Sequence, residues 1–117
     1  MEQIHRHAQW AVPGHASGVL TRHQMAEQDQ VNEVLLKWAK EYNVKVICTN
    51  DSHYIDQKDS NAHDILLCIN TSEVRTTPIG DGKGYRFGFP NNEFYFKTQA
   101  EMRSAFADVP EALENTH

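Results

Sequence analysis

Val44-Lys45-Val46-Ile47-Cys48-Thr49-Asn50-Asp51-Ser52-His53-Tyr54 is the stretch on which the reading of this chain turns. Its first six residues are mostly apolar and β-branched, which predicts a short buried strand over 44–49. The run empties directly into Asp51-Ser52-His53. Side chains two apart in an extended segment point the same way. Asp51 and His53 are therefore expected side by side at the strand's C-terminal end, one offering carboxylate oxygen and the other imidazole nitrogen. That donor pair suits Zn or Mn better than Mg or Ca. Spacing alone is equally met by a turn aspartate beside a surface histidine, so the flanking sequence has to decide.

Upstream, Val31, Val34, Leu35, Trp38 and Tyr42 recur at helical spacing in a segment that becomes regular from Met25, with Glu27, Asp29, Glu33, Lys37 and Lys40 on the other faces. Acid gathers at the start of this helix and base toward its end, as the macrodipole favours. Trp38 is expected in the core, and Asn43 reads as the C-cap. The strand that follows runs parallel to whatever precedes the helix. Downstream, Asp59 or Ser60 is placed to cap a second helix with an apolar stripe of Ala62, Ile65, Leu66 and Ile69. Tyr54 is expected to pack its ring and hydrogen-bond its hydroxyl, and His63 to bond backbone at the helix start.

Residues 71–92 are rich in Gly, Pro, Asn and Thr and read as a long loop with a short hairpin around Tyr85–Phe89. Lys45, Arg75, Lys83 and Arg86 read as solvated charges. Glu93–Lys97 reads as a short strand. Thr98 with Glu101, and Asp108 with Glu111, have capping-box spacing and open two short helices carrying Met102, Phe106, Val109 and Leu113. Residues 1–19 have no sustained period and hold three of the seven histidines, so they read as a loop or arm. The order of elements is that of part of an α/β architecture.

The chain has 117 residues, enough for one domain or a piece of one. Its formal net charge is −5, so it is not itself a phosphate-gripping surface. No run approaches the ~20 apolar residues of a membrane span, and no signal-peptide core is present at the start. Cys48 and Cys68 both lie inside apolar runs and read as buried, reduced thiols of a cytosolic protein.

In parallel α/β barrels functional groups gather at the C-terminal ends of strands. His23, just before the first helix, stands at another such junction, and neighbouring strand ends would bring it within coordinating reach of Asp51 and His53. Three ligands from two loops make part of a metal site, incomplete for two-metal chemistry.

Arg22-His23, Glu27 to Asn32, Thr49 to Tyr54, Ala62 to Ile69, Glu93 to Lys97, and Met102 with Phe106 to Thr116 carry a family resemblance. Residues 22–117 resemble the later part of the PHP (polymerase and histidinol phosphatase) domain of the bacterial DNA polymerase III alpha subunit, up to its connection to the palm. Residues 1–21 are an unmatched arm. The resemblance implies a partial (β/α)7-type barrel with short parallel strands and flanking helices. It also implies that Asp51 and His53 descend from the last metal motif and His23 from an earlier one. That earlier motif usually reads Gln-x-His-Gly; here Thr21 and Gln24 stand at its ends, and Gly14 to Gly18 replace the apolar strand expected before it.

His5-Arg6-His7 imitates the His-x-His that opens PHP domains, but without its surrounding strand it reads as tag-like or exposed. The implied cofactor is Zn or Mn, and the implied activity is phosphoesterase chemistry. Members with a full ligand set are 3′–5′ exonucleases; where ligands have decayed the module is structural. The implied location is the bacterial cytoplasm, and the implied partners are the rest of the alpha subunit and, in the intact protein, DNA. The polymerase aspartates are absent, so the chain alone is expected to be inactive. A stand-alone metal-binding α/β domain is the alternative, against which residues 93–116 argue. A partial barrel leaves strand edges and apolar helix faces open. The isolated chain is therefore expected to be a homo-oligomer through the Val44–Thr49 strand and the Val31–Tyr42 helix.

Overall fold

The helical periodicity after Met25 produces a helix, α1, over Ala26–Glu41, and the acid-first, base-last order is kept with Glu27 and Asp29 in its first turn and Lys40 in its last. Tyr42 caps it, and Asn43 takes the left-handed φ of 52° that ends the spiral. The Val44 N–H then reaches back to the Ala39 carbonyl at 2.9 Å, the long bond of a Schellman ending. Asn tolerates this conformation at low cost, which is why the chain turns here. It turns into strand β2, Lys45–Cys48.

The computed structural model describes residues 17–116. The reading of His5 and His7 falls outside them. Contacts divide the described chain into two units, residues 17–50 with 97–116, and Asp51–Phe96.

In the first unit β2 pairs in parallel with strand β1, Ser17–Leu20, in the register Ser17 to Lys45 through Leu20 to Cys48. The expected parallel partner before the helix is therefore present. It lies, however, in a segment that sequence had assigned to loop. Pairing overrides the weak strand preference of Ser and Gly; a Cβ at Gly18 would stand in ordinary contact with Val46 Cγ2, at 3.7 Å, so the register itself does not require glycine there. Helix α1 is the crossover of this βαβ unit. The observed architecture is α/β with a two-stranded parallel sheet.

Two short helices complete the unit. Helix α3, Gln99–Ala105, opens on the expected capping box: Thr98 Oγ1 accepts from the Glu101 N–H at 3.3 Å and the Glu101 carboxylate accepts from the Thr98 N–H at 2.8 Å. Helix α4, Pro110–Glu114, is capped by Val109 instead, with no side-chain cap. Asp108 is not a cap because Arg22 takes both of its oxygens, at 2.6 and 2.7 Å. Arg22 also donates to the Ala105 carbonyl at 2.7 Å and lies over the Phe106 ring at 5.2 Å. The core these elements bury is Leu20, Val46, Cys48, Phe106, Val109 and Ala112, with Leu35, Leu36 and Ala39 of α1 packed against it.

The inward face of α1 is not the one expected. Asn32 is its buried residue, donating to the Thr21 carbonyl at 2.8 Å and accepting from Gln28 at 3.2 Å. Fixing Asn32 inward turns Val34, Trp38 and Tyr42 outward, and Trp38 is 39% exposed rather than core.

In the second unit a 3₁₀ turn, Gln57–Asp59, leads into α2, Ser60–Thr71, for which Asp59 is the N-cap residue. The left-handed Ser72, φ 57°, ends it. Here too the expected stripe faces out: Ile65, Leu66 and Ile69 are exposed, while Cys68 is buried. The strand expected over Glu93–Lys97 is reduced to a single parallel bridge between Tyr95 and Tyr54. The expected hairpin is a bridge between Ile79 and Arg86, also parallel. Gly80 is needed there, because any Cβ would stand 2.5 Å from the Tyr85 ring.

Gln24 follows His23 with φ 53°. A non-glycine residue in the left-handed region costs about 1–2 kcal/mol, part of which glycine would return to the unfolded chain as entropy. Gln24→Gly is expected to raise unfolding free energy by about 1 kcal/mol in a urea titration followed by circular dichroism. An unchanged midpoint would show that Gln24 carries no strain.

Candidate functional site

His23 lies in the first unit, at the junction between β1 and α1 where a strand end hands over to a helix, and it is buried at 4% exposure. The placement at a strand-to-helix junction is the expected one.

Asp51 and His53 open the second unit. The two side chains meet just beyond the end of β2, with His53 Nε2 3.0 Å from Asp51 Oδ1. Both side chains are accessible, 61% for Asp51 and 37% for His53. The backbone is pinned independently, since the His53 N–H donates to the Phe94 carbonyl at 2.7 Å. The imidazole is held by rings: Phe89 meets it edge-on at 4.6 Å, with His63 at 5.6 Å and Phe94 at 6.1 Å. A reachable carboxylate beside an oriented imidazole is the chemistry of a partial site for a borderline metal. Within neither unit, among the described residues, do three or more His, Cys, Asp or Glu side chains gather as an ion would require. The pair supplies two donors of the right kind and not the full count.

His63 is the residue that sequence reasoning undervalued. It turns inward from the first turn of α2, its ring 5.3 Å from Tyr54 and 4.8 Å from Phe89. Burial, and then the neighbouring His53, push its pKa below the usual imidazole value. No spacing rule marks it; the only signal was a histidine on a helix start ten residues beyond His53. Tyr54 also departs from expectation. Its hydroxyl is buried, and no side-chain or backbone group among the described residues meets it in good hydrogen-bonding geometry. Burial raises its pKa, an effect the neighbouring Phe94 backbone offsets in part.

Arg86 departs most. It is 5% exposed, not a solvated loop charge. Its guanidinium donates to both Asp64 oxygens, at 2.6 and 3.0 Å, and to the Thr77 carbonyl at 2.8 Å. Arg75 adds a bond to Asp64 at 3.2 Å. This fork fixes the loop against α2 and so holds Phe89 in place beside His53. Both cysteines are buried and free, as expected, and burial pushes Cys48 up to about 11. No helix among the described residues is long and apolar enough to cross a membrane.

No family model matches the chain. Individual proteins do. A DNA polymerase III subunit alpha of Borreliella burgdorferi is 43% identical over 97 residues, 83% of this chain and 8% of the relative. That of Thermus aquaticus is 40% identical over 93 residues, 80% of this chain and 7% of the relative. That of Chlamydia pneumoniae is 31% identical over 122 aligned residues, 97% of this chain and 10% of the relative. The α/β chain with its strand-end Asp and His is thus homologous to a segment of a large bacterial protein class. That class is the DNA polymerase III alpha subunit, and the chain spans less than a tenth of the length of the first two relatives.

Arg86, ahead of burial and aided by Arg75, holds the Asp64 carboxyl below the usual carboxylate range. A depressed folded pKa means that this stabilisation is present above the unfolded value, about 3.9, and is lost as pH falls through the folded one. Protection of the α2 amides, the observed exchange taken against the unstructured-chain rate at the same pH, is therefore expected to fall below about pH 4. Asp64→Asn should show fast exchange already at neutral pH and a flatter acid response. Identical profiles for the two proteins would remove Asp64 from this role.

Proposed function

We propose that the chain is the later part of the PHP module of a replicative DNA polymerase. In the whole subunit Asp51 and His53, with His23 as a third ligand, would help hold Zn or Mn in a phosphoesterase-like site serving DNA replication. The carrying observation is the 3.0 Å Asp51–His53 pair, accessible and ring-oriented, immediately beyond a strand end. A bound metal would supply Lewis acidity toward a phosphodiester; this chain's residues hold and orient it. The family resemblance makes the complete site a 3′–5′ exonuclease. The same reading places the protein in the bacterial cytoplasm.

For the isolated chain the function is structural. Two donors in the second unit and His23 in the first leave a metal site short of ligands, and losing even one ligand or orienting group costs about 10–100-fold in affinity or activity. Calorimetric titration with Zn and Mn is expected to show weak binding that Asp51→Ala and His53→Ala abolish. The purified chain should not hydrolyse single-stranded DNA above background. Sub-micromolar binding surviving both substitutions would rule out this site, and nuclease activity lost in Asp51→Ala would make the isolated chain an enzyme.

The partner of the module is the rest of the alpha subunit, and in its absence a second copy. Val34, Trp38 and Tyr42 on α1 are 39%, 39% and 70% exposed, an apolar stripe with no cover among the described residues. The Val31–Tyr42 helix and the edges of the two-stranded sheet at Val44–Thr49 form the proposed self-association surface. Sedimentation across a concentration series is expected to show dimers or larger species that Trp38→Glu disperses. A monomer at every concentration would exclude it.

A further inference from the structure

Of the seven aspartates in the chain, Asp81 is the one followed by glycine. That neighbour matters chemically. A backbone amide nitrogen can attack the side-chain carboxyl carbon of the residue before it and close a five-membered ring. Any residue but glycine crowds its own nitrogen with a Cβ.

The fold leaves this pair open. Asp81 to Gly84 are all exposed, and nothing stands within 4 Å of the place a Cβ on Gly82 would take. Among the described residues the Gly82 N–H meets no backbone carbonyl. The other aspartates are engaged. Ion pairs hold Asp51, Asp56, Asp64 and Asp108, Asp59 accepts from the Asp56 N–H, and Asp29 lies in the first turn of α1. Asp81 enters none of these pairs. It stands at the tip of a turn whose base is fixed. The Gly80 N–H donates to the Arg86 carbonyl at 3.1 Å, the Arg86 N–H to the Pro78 carbonyl at 2.9 Å, and the Tyr85 N–H to the Gly82 carbonyl at 3.3 Å. The same turn presents the Arg86 guanidinium to Asp64.

We propose that Asp81 is a site of spontaneous isomerisation to isoaspartate, and that this modification unfastens the turn. The Gly82 nitrogen gives up its proton and bonds to Asp81 Cγ, and a carboxyl oxygen leaves as water. Water then opens the succinimide. Cleavage of the new Cγ–N bond returns aspartate; cleavage of the original peptide C–N bond leaves Gly82 linked through Cγ. One water leaves and one enters, and nothing is oxidised or reduced. The isoaspartyl chain is one carbon longer between Gly80 and Gly82 and carries its carboxylate on Cα. The Gly82 carbonyl then no longer faces the Tyr85 N–H, and the Gly80–Arg86 bond at the base of the turn is pulled out of register.

The test ages the full 117-residue chain in neutral buffer at physiological temperature, beside a sample unfolded in urea. Both are followed by peptide mapping with electron-transfer fragmentation, which tells the two linkages apart. The peptide holding Asp81 is expected to split into two species of equal mass, with a transient third lighter by one water, at comparable rates folded and unfolded. Heavy-oxygen water should label the product once. Asp81→Glu, whose ring would be six-membered and closes far more slowly, should abolish the conversion without touching either glycine. In the isoaspartyl protein, separated by ion exchange, protection of the Gly80 and Arg86 N–H groups is expected to fall toward the unstructured-chain rate, while that of Val46 and Phe106 stays unchanged. An Asp81 that remains normally linked in the folded chain, whether or not the urea sample converts, would overturn the proposal. So would conversion that leaves the Gly80 and Arg86 protection intact.

Discussion

A parallel pair of four-residue strands, β1 and β2, cannot hold itself together. Parallel ladders are the weaker kind per residue and occur where both faces are covered. Much of the first unit follows from supplying that cover. Helix α1 crosses between the strands and brings Leu35, Leu36 and Ala39 to the core, while α3 and α4 bring Met102, Phe106 and Ala112. The strands and the last two helices are far apart in sequence, so closing that loop is entropically costly. Arg22 fastens it, reaching across more than 80 residues to Ala105 and Asp108. Asn115 adds a bond from its amide to the Val46 carbonyl at 3.0 Å.

The second unit is held by a different force. Its buried side chains include only Phe94, Cys68 and Arg86, too little apolar area for the hydrophobic effect alone to order a loop of this length. An ion pair largely shielded from water, with a backbone carbonyl as third acceptor, takes that role. Such a pair specifies one arrangement, because breaking it leaves a charge uncompensated. The aromatic cage around His53 inherits its order from that specificity.

What was legible in the sequence was what nearest neighbours decide. The helix after Met25, the strand into Asp51, the Thr98–Glu101 box and the closeness of Asp51 to His53 all rest on spacings of two to four residues. What was not legible was decided at long range. The inward face of α1 is set by Asn32 reaching the Thr21 carbonyl, and that of α2 by Asp64 finding Arg86. In both helices a polar residue with a distant partner outweighed an apolar stripe. The same holds for β1, whose residues have little strand preference of their own, and for Asp108, lost as a cap to Arg22. His63 joined the site for a reason no motif encodes, the ring contacts with Tyr54 and Phe89.

The outward turn of Trp38 has an optical consequence. An indole that is 39% exposed on a helix surface emits according to the water around it rather than to the state of the Leu20–Phe106 core. Its fluorescence is therefore a poor thermometer of folding. Once the chain's other tryptophan, Trp10, is replaced, it is instead a built-in dye for the outer face of α1, shifting toward the blue when another surface excludes water there. The side chain that misled the reading of the core is thus the natural reporter of whatever comes to cover it.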